Sequence, residues 1–544
     1  MKYAHSAVLA AFLLTGRAEA SDYRSLVDLA RDWRAFAAPE IHDCRPDYGK
    51  EALARKASGL KQFRTRLAAI DRKGWTIAQA NDYRLIEAEM NGLDFDLRVL
   101  KPWARDPSFY ATIKNEQSDV PAHEGSAAEP VIDLFAYAYP LSAEDQKKLT
   151  CQLGAIPALL ADAKTNLKDG NAADLWRYAD RALDGQTKDL DALEAGTLTM
   201  RTLEGPVHGS LAGADPALVS AVKAARAATQ DFARWVAAEA PRKTGPSGVG
   251  KENYDWYERN VHLLPLSWEE QKTLLQRELD RAVAGLRTEE FLNRALPKQE
   301  PVNDEAAFNA YAAAKIARIT DFMIKAGLVP DKDYYRSAMA QQVGEWVPPG
   351  ERNFFDHTMA YDPLGLDSHR YHWIELARLK HEPNDSPIRR LPILYNMFDT
   401  RSEGMATAME EWLMQAGMYD DDPRGREVVW VMLANRAARG LAALRVQANE
   451  IRLLDAGRFH ASWTPRGWSD AKSDLVGFEQ LLYLRQPGYG TSYITGKLGF
   501  EHLIAAASHR AEEKSEPFDY PAFFARFNRA GIMPFALIEQ EMVE

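Results

Sequence analysis

Two histidines and one glutamate have the residue types and the spacing of a metal site. His369 and His372 stand three residues apart in the segment 366–375 (LDSHRYHWIE), and on a helix residues at that spacing share a face. Two imidazoles on one face bind zinc or another first-row metal when a carboxylate completes the ligand set. Glu403, in the next predicted helix, is the candidate third ligand. The sequence therefore predicts a metal site, with zinc as the expected cofactor.

An interpretation without metal is also open from the residues alone. The common zinc motif His-Glu-x-x-His, whose glutamate acts as a general base, does not occur, because the His-Glu pairs at 123–124 and 381–382 lack the second histidine. His369 and His372 would then be helix N-terminal residues that make local hydrogen bonds. The residues 400–403 would form a capping box around Glu403.

The same region supplies candidates for proton transfer and substrate binding. Asp367 and Glu375 are the carboxylates nearest to the histidines in sequence, and either is a candidate catalytic acid or base. Asp367 is alternatively a helix N-cap. Arg389 and Arg401 are expected to bind a substrate carboxylate, or to pair with neighbouring acids.

A glycine- and tyrosine-rich segment near the C-terminus is the other candidate part of the site. Residues 486–497 (QPGYGTSYITGK) are typical of a turn that leads into a helix. Such a segment can bring backbone N–H groups and phenols to a developing oxyanion. We predict Tyr493 as the oxyanion-stabilising residue, and Tyr489 and Lys497 as substrate-binding residues. An ordinary helix entry explains the segment equally well.

Helices must position these residues, because helical periodicity dominates the chain. Ser267 and Glu270 have the spacing of a capping box. The only strand pattern is a possible short hairpin at 337–346. The predicted fold class is therefore all-α, with at most a small β element. Amphipathic helices are predicted over 26–36, 60–70, 82–100, 143–167, 172–193, 216–239, 304–326, 367–379, 400–416 and 423–454.

The first residues are typical of a secretory signal peptide. Lys2 is basic, residues 7–16 are apolar, and Ala18-Glu19-Ala20 is a small-x-small cleavage site. We expect cleavage after Ala20 and a periplasmic or secreted protein. The apolar run is shorter than the roughly 20 residues that span a bilayer, and no later segment reaches that length without charges, so no integral membrane segment is expected after cleavage.

Length, charge and cysteine content narrow the remaining possibilities. With 544 residues and a Gly/Pro-rich break at 241–250, we predict a signal peptide (1–20), an N-terminal lobe (21–245) and a C-terminal lobe (246–544) that carries the site. The net charge of −11 disfavours nucleic acid as a partner and favours cationic or neutral ligands, although the local charge of a cleft can oppose the net charge. The expected partner is a small-molecule or peptide substrate. Cys44 and Cys151 exclude a thiolate cluster, and their pairing is open.

Taken in order, several segments resemble the bacterial domain-of-unknown-function 885 family, large helical proteins related in fold to gluzincin metallopeptidases. The similarity covers most of the chain after the signal peptide. The segments that carry it are 82–110, 250–254 (GKENY), 263–270 (LLPLSWEE), 402–404 (SEG) to 418–419, 463–468 (WTPRGW) and 487–497.

The resemblance implies a two-lobed, gluzincin- or thimet-like scaffold with a central cleft, a zinc site and peptidase-like hydrolysis. The family pattern has a His-Glu pair, a Pro-Gly-His-His stretch and a later Glu-Gly motif. Glu403-Gly404 keeps the last motif, and His372 matches the final histidine. Gly365-Leu366 stands where His-Glu is expected, and His369 where the proline stands, so the metal motif has diverged.

From these observations we expect a periplasmic or secreted hydrolase that is zinc-dependent and acts on peptide or other amide bonds. The missing His-Glu pair keeps two alternatives open. One is a metal-free ligand-binding protein, and the other is a non-hydrolytic enzyme, such as a lyase, on the same scaffold.

Overall fold

The computed structural model describes the backbone of residues 6–121, 131–390 and 392–543, and side chains within these ranges from Asp22 onward. The predicted signal peptide, residues 1–20, lies outside the described side chains. Among the described helices, none has both the length and the apolar character needed to cross a membrane.

The fold is mainly α-helical, as the periodicity predicts. The first part of the chain forms α1 (Ser6–Ala37), α2 (Lys50–Ala68), α3 (Ile77–Phe95), α4 (Pro102–Arg105), α5 (Ala143–Asn166), α6 (Ala173–Arg177), α7 (Asp180–Ala195) and α8 (Pro216–Glu239). The second part begins with α9 (Lys251–Asn260), α10 (Trp268–Leu292), α11 (Glu305–Lys325), α12 (Asp333–Ala340), α13 (Phe354–Tyr361), α14 (Pro363–His369) and α15 (Tyr371–His381). It ends with α16 (Asp399–Gln415), α17 (Pro423–Gln447), α18 (Leu453–Trp463), α19 (Asp474–Arg485), α20 (Tyr489–Glu513), α21 (Tyr520–Ala530) and α22 (Phe535–Met542).

Within the described ranges, strands are short and occur only in pairs. β1 (Glu40–His42) and β2 (Arg45–Asp47) are antiparallel, as are β5 (Leu198–Met200) and β6 (Val207–Gly209). β3 (Ile113–Lys114) and β4 (Ile132–Asp133) form a parallel pair.

The predicted hairpin at 337–346 is wrong. Residues up to Ala340 belong to α12, and the described residues that follow it form no strand. Tyr335, Ala338 and Met339 explain the helix, because they are buried at helical spacing.

Local capping sets several helix boundaries. The predicted capping box of Ser267 and Glu270 is confirmed at the start of α10. Three segments predicted as single helices, 172–193, 367–379 and 423–454, are each divided in two. The division of 367–379, between α14 and α15 at Arg370, places the two candidate histidines on different helices.

Two large hydrophobic cores organise the helices. One core contains side chains between Phe109 and Val236. The other joins side chains between Leu26 and Phe95 to side chains between Leu203 and Met542. The first and last parts of the chain are in direct contact in this core: the side-chain amide of Asn81 on α3 donates a hydrogen bond to the carbonyl of Leu537 on α22 (3.0 Å). The division into lobes at 245/246 stays a prediction.

Cys44 and Cys151 form a disulfide, which answers the question that the sequence left open. The bond joins the β1–β2 turn to α5, with a Cα–Cα distance of 5.8 Å and a sequence separation of 107. Since Leu149 and Leu153 of α5 belong to the core between Phe109 and Val236, the disulfide fastens the first hairpin to that core.

Candidate functional site

The two histidines meet across a helix break. α14 begins earlier than predicted, because the Asp362 side chain caps it by accepting a hydrogen bond from the Leu364 backbone N–H (3.0 Å). His369 is therefore the last residue of α14, and His372 lies in the first turn of α15. Their ring centroids are 4.9 Å apart, so the break keeps the two imidazoles together.

Glu403 faces both imidazoles from α16. This helix begins after Phe398 without a side-chain cap, so the capping-box interpretation of residues 400–403 is wrong. The Glu403 carboxylate is buried, and its Oε2 lies 3.2 Å from His372 Nε2 and 3.4 Å from His369 Nε2. The structure therefore brings the three predicted metal ligands together.

The donor set fits a zinc ion. Potential ligand atoms of His369, His372 and Glu403 all lie within 4.8 Å of one another. Zinc–nitrogen and zinc–oxygen distances of about 2.0–2.2 Å place tetrahedral ligand atoms roughly 3.3–3.5 Å apart. The measured nitrogen–oxygen separations of 3.2 and 3.4 Å agree with that requirement.

Two further residues hold the ligands in place. The Tyr489 hydroxyl donates a 2.5 Å hydrogen bond to Glu403 Oε1, and Glu410 Oε1 lies 3.0 Å from His369 Nδ1. Carboxylates beside the outer nitrogen of a ligating histidine are typical of metal sites, where they fix the tautomer and the ring orientation. Tyr489, which the sequence predicts as a substrate-binding residue, thus contacts Glu403, a candidate metal ligand.

Glu410 is a further residue of the site that the sequence analysis does not single out, because adjacent glutamates at 410 and 411 are typical of a solvated helix face. It is buried, and Arg436 donates hydrogen bonds of 2.9 and 2.6 Å to its Oε1. A signal existed: Glu410 stands seven residues, or two helical turns, after Glu403 and so shares its face.

The electrostatics of the triad favour a cation between the imidazoles and the carboxylate. Burial opposes charge on both partners, but their mutual attraction is stronger. Burial lowers the pKa of His372, yet the Glu403 carboxylate raises this pKa to about 9. Burial raises the pKa of Glu403, yet His372 and His369 hold it well below its usual range. The site can thus hold a proton or a metal ion.

Two of these three residues, His369 and Glu403, line a cavity of about 280 Å³. His369, Glu403 and Tyr493 form one wall, and four arginines also line the space. The cavity shares Asp119 and Arg201 with a neighbouring cavity of about 380 Å³, whose other walls include residues of the core between Phe109 and Val236. The two cavities are therefore adjacent and have part of their walls in common.

Tyr493 lies where the sequence predicted it, beside the histidines. Its ring stacks on that of His369 at a centroid distance of 6.1 Å. Burial, followed by the charge of Glu403, raises its pKa well above the usual range, so the phenol stays protonated. A protonated phenol in this cavity can donate a hydrogen bond to an oxyanion.

The two predicted proton-transfer residues, however, are not brought to the cavity. The buried Glu375 accepts a hydrogen bond from Arg401, which stacks on Phe527 at 3.9 Å. Asp367 lies 3.3 Å from Arg370, and burial raises its pKa to about 7. Among the described residues that line the cavity, neither carboxylate is present. The helix break at Arg370 and pairing with α16 direct them elsewhere.

Three predicted substrate-binding residues are structural ion-pair partners instead. Arg401 is the partner of Glu375. Arg389 binds Asp82 at 2.6 Å and Glu541 at 2.7 Å, which ties α3 to α22. The buried Lys497 lies 3.0 Å from Glu411 on α16. Lys497 also pairs with Glu501, four residues later on the same helix. The other partners come from distant parts of the chain, so spacing along the sequence could not reveal them.

The fold and the site together define a mainly helical protein with a buried cluster of two histidines and one glutamate beside a cavity. The chain belongs to a family of bacterial proteins of unknown function, DUF885, whose model matches residues 36–347. This membership confirms the resemblance seen in the sequence. The matched residues end before His369, so the site itself is defined by its geometry.

Two solved structures share the fold at low sequence identity. A putative lipoprotein of unknown function from Shewanella oneidensis is 14% identical with a TM-score of 0.66, over 97% of this chain and 99% of that one. A putative lipoprotein from Colwellia psychrerythraea is 14% identical with a TM-score of 0.61, over 96% of this chain and 98% of that one. No curated protein is significantly similar to this chain.

Proposed function

We propose that this protein is a zinc-dependent hydrolase of peptide or other amide bonds. The observation that supports it is the convergence of His369, His372 and Glu403, two of which, His369 and Glu403, line a cavity that could admit a substrate. Zinc in such a site supplies Lewis-acid polarisation of an amide carbonyl. A concave cavity with a few convergent polar groups is typical of ligand-binding sites, which agrees with this proposal.

The surrounding residues have separate roles in this proposal. Tyr489 and Glu410 orient Glu403 and His369 through the contacts described above. The Tyr493 phenol donates a hydrogen bond to the oxyanion that develops on the substrate. Asp119 replaces Asp367 and Glu375 as the candidate for proton transfer, because it lines the cavity and its charge acts on His372. Glu479 also lines the cavity, but it is a weaker candidate because it is the hydrogen-bonded counter-ion of Arg439.

Elemental analysis of the purified mature protein tests the metal, with His372→Ala as the variant and His502→Ala, an exposed histidine, as the matched control. We expect about one zinc per chain in the wild type and in the control, and none in His372→Ala with its circular dichroism unchanged. Peptide hydrolysis should follow the zinc content, and Asp119→Asn should lower kcat without removing zinc. No zinc in the wild type after incubation with the metal would rule out this mechanism.

A metal-free ligand-binding protein is the second candidate. One observation favours it: Glu403 is already engaged by His372 and by the Tyr489 hydroxyl, so a proton can take the place of the metal. In that case the wild type and His372→Ala would both lack zinc, and neither would hydrolyse peptides at any zinc concentration.

We also propose an exported location for the protein. The N-terminal sequence has the features of a signal peptide, and the two structural neighbours are described as lipoproteins. Cell fractionation with N-terminal sequencing tests this: we expect a periplasmic or secreted chain that begins at Ser21. A cytoplasmic chain that keeps residues 1–20 would contradict it.

A further inference from the structure

Arg439 is a buried cation with unused hydrogen-bond donors in the wall of the cavity. Its side chain is 2% exposed, and its Nη1 donates to Glu479. Its Nε and Nη2 have no hydrogen-bond partner among the described residues. Buried guanidinium donors are normally satisfied, so two buried donors without a partner, in a residue that lines a cavity, indicate a position that a ligand fills.

The neighbouring charges reinforce this position. Arg201, Arg370 and Arg436 line the same cavity as Arg439. The carboxylates nearest to Arg370 and Arg436 are Asp367 and Glu410, which are not among the described lining residues. Those two carboxylates therefore do not line the cavity, whereas the arginines that they contact do. The four arginines outnumber the three carboxylates of the same wall, Asp119, Glu403 and Glu479, so the wall favours a negatively charged ligand even though the whole chain is acidic.

Arg439 is also close to the candidate metal ligands. Its guanidinium carbon lies 4.0 Å from the Tyr493 ring centroid, and that centroid lies 6.1 Å from the centroid of the His369 ring. Arg439 is thus at most about 10 Å from the imidazole, a distance that roughly three extended residues cover. One short ligand can therefore contact both Arg439 and His369.

We propose that Arg439 binds a carboxylate of the substrate, so that the amide substrates of this site are acidic. The planar guanidinium offers Nε and Nη2 as a fork that matches the two oxygens of a carboxylate. The carboxylate is either the free C-terminus of a short peptide or an acidic side chain near the reacting amide. The assignment of this ligand as a substrate rests on the proposed function, whereas carboxylate binding by Arg439 does not require the metal.

Calorimetric titration of the chelator-treated full chain tests this assignment. The probes are glutarate and its uncharged analogue glutaramide. We expect glutarate to bind and glutaramide to bind at least tenfold more weakly. Equal binding of the two, or no binding of glutarate at millimolar concentrations, would overturn the assignment. Acetyl-Ala-Ala compared with acetyl-Glu-amide then distinguishes a C-terminal from a side-chain carboxylate.

Variants locate the binding to Arg439. We expect Arg439→Gln to weaken glutarate binding at least tenfold, and Arg439→Lys to restore part of it, because a lysine keeps the charge but loses the fork. Should Arg439→Gln not fold, the double variant Arg439→Met/Glu479→Leu removes both charges of the pair and tests the same point. Arg510→Gln, on the exposed surface, is the control. Unchanged binding in a folded Arg439 variant would exclude this residue.

The two proposals can fail separately. Loss of zinc in His372→Ala with unchanged glutarate binding supports both. Glutarate binding in a protein that never takes up zinc removes the hydrolase and leaves an acidic-ligand binding protein. Zinc binding without discrimination between glutarate and glutaramide keeps the hydrolase and removes the carboxylate site.

Discussion

At the scale of single residues, Glu410 connects the candidate metal site to the positive wall of the cavity. It lies between His369 and Arg436, and all three side chains are largely buried. Replacing one partner of a buried ion pair is costly, because the other charge remains in a medium of low dielectric constant.

We therefore expect Glu410→Gln to lower the free energy of unfolding by about 3–5 kcal/mol, measured by urea denaturation. It should also weaken zinc binding about 10- to 100-fold, measured by competition with a chelator. Glu513→Gln is the matched control, because its partner Arg510 is exposed and the expected change is far smaller. Equal stability of the two variants would show that Glu410 has no such role.

His460 is a buried histidine with a different consequence, a dependence of stability on pH. Its Nε2 accepts a 2.8 Å hydrogen bond from the Asn435 amide, and Glu479 lies 3.9 Å from Nδ1. Burial, followed by the charge of Arg439, lowers its pKa to about 3. The folded protein thus keeps the ring neutral, while the unfolded chain takes up a proton near pH 6.5.

The stabilisation from a neutral His460 is complete above pH 6.5 and is lost as the pH falls towards 3. Relative to His460→Gln, the wild type should lose about 1.4 kcal/mol of unfolding free energy per pH unit below 6.5. Denaturation curves at pH 7, 6 and 5 measure this difference. His509→Gln, on the surface, should run parallel to the wild type. Parallel curves for His460→Gln as well would contradict the buried, neutral state.

At the scale of elements, the site depends on the close packing of α16 and α20. A Cβ atom at Gly404 would lie 2.3 Å from Gly496 Cα, and one at Gly496 would lie 1.9 Å from the Thr400 carbonyl oxygen. The short distances explain why both positions are glycine. This contact brings Glu403 on α16 within reach of Tyr489 on α20.

Gly496→Ala should force the two helices apart, because the atoms in the way belong to the backbone and cannot rotate aside. We expect a loss of at least about 1–3 kcal/mol of stability and a weaker zinc site. Gly154→Ala on α5 is the control, since its new methyl group meets no atom within 4 Å. Thermal unfolding and zinc titration of both variants test this. An unaffected zinc affinity in Gly496→Ala would show that the helix contact does not hold the site.

At the scale of the whole molecule, the disulfide fastens the first hairpin to the core between Phe109 and Val236. Cross-linking residues that are 107 positions apart restricts the unfolded chain, which stabilises the folded state by about 4–5 kcal/mol in the chain-entropy description. The Cys44→Ser/Cys151→Ser variant should therefore unfold at a lower temperature than the wild type.

Calorimetry with and without a reductant tests the disulfide. The reductant should lower the melting temperature of the wild type and leave that of the double variant unchanged. If the wild type and the variant melt together under oxidising conditions, the bond does not contribute in this way.

Much of the helical framework follows from the sequence, because periodicity and capping are local properties. Ser267 and Glu270 cap α10 as predicted, and the spacing of the histidines with the Glu403-Gly404 pair led to the three converging ligands. The helix entry at 486–497 was also predictable, since Gly488 adopts a positive φ directly before α20. These features depend on residues a few positions apart.

The tertiary structure alone decided which charged residues face the cavity. Arg389, Arg401 and Lys497 neutralise distant acids, whereas Arg439 and Arg436, on α17, line the cavity beside Tyr493. A charge in a low-dielectric interior needs a partner, and any of many acids along the chain can supply it. The packing of α16, α17 and α20 selects that partner, so the direction of each guanidinium depends on contacts that no local pattern contains.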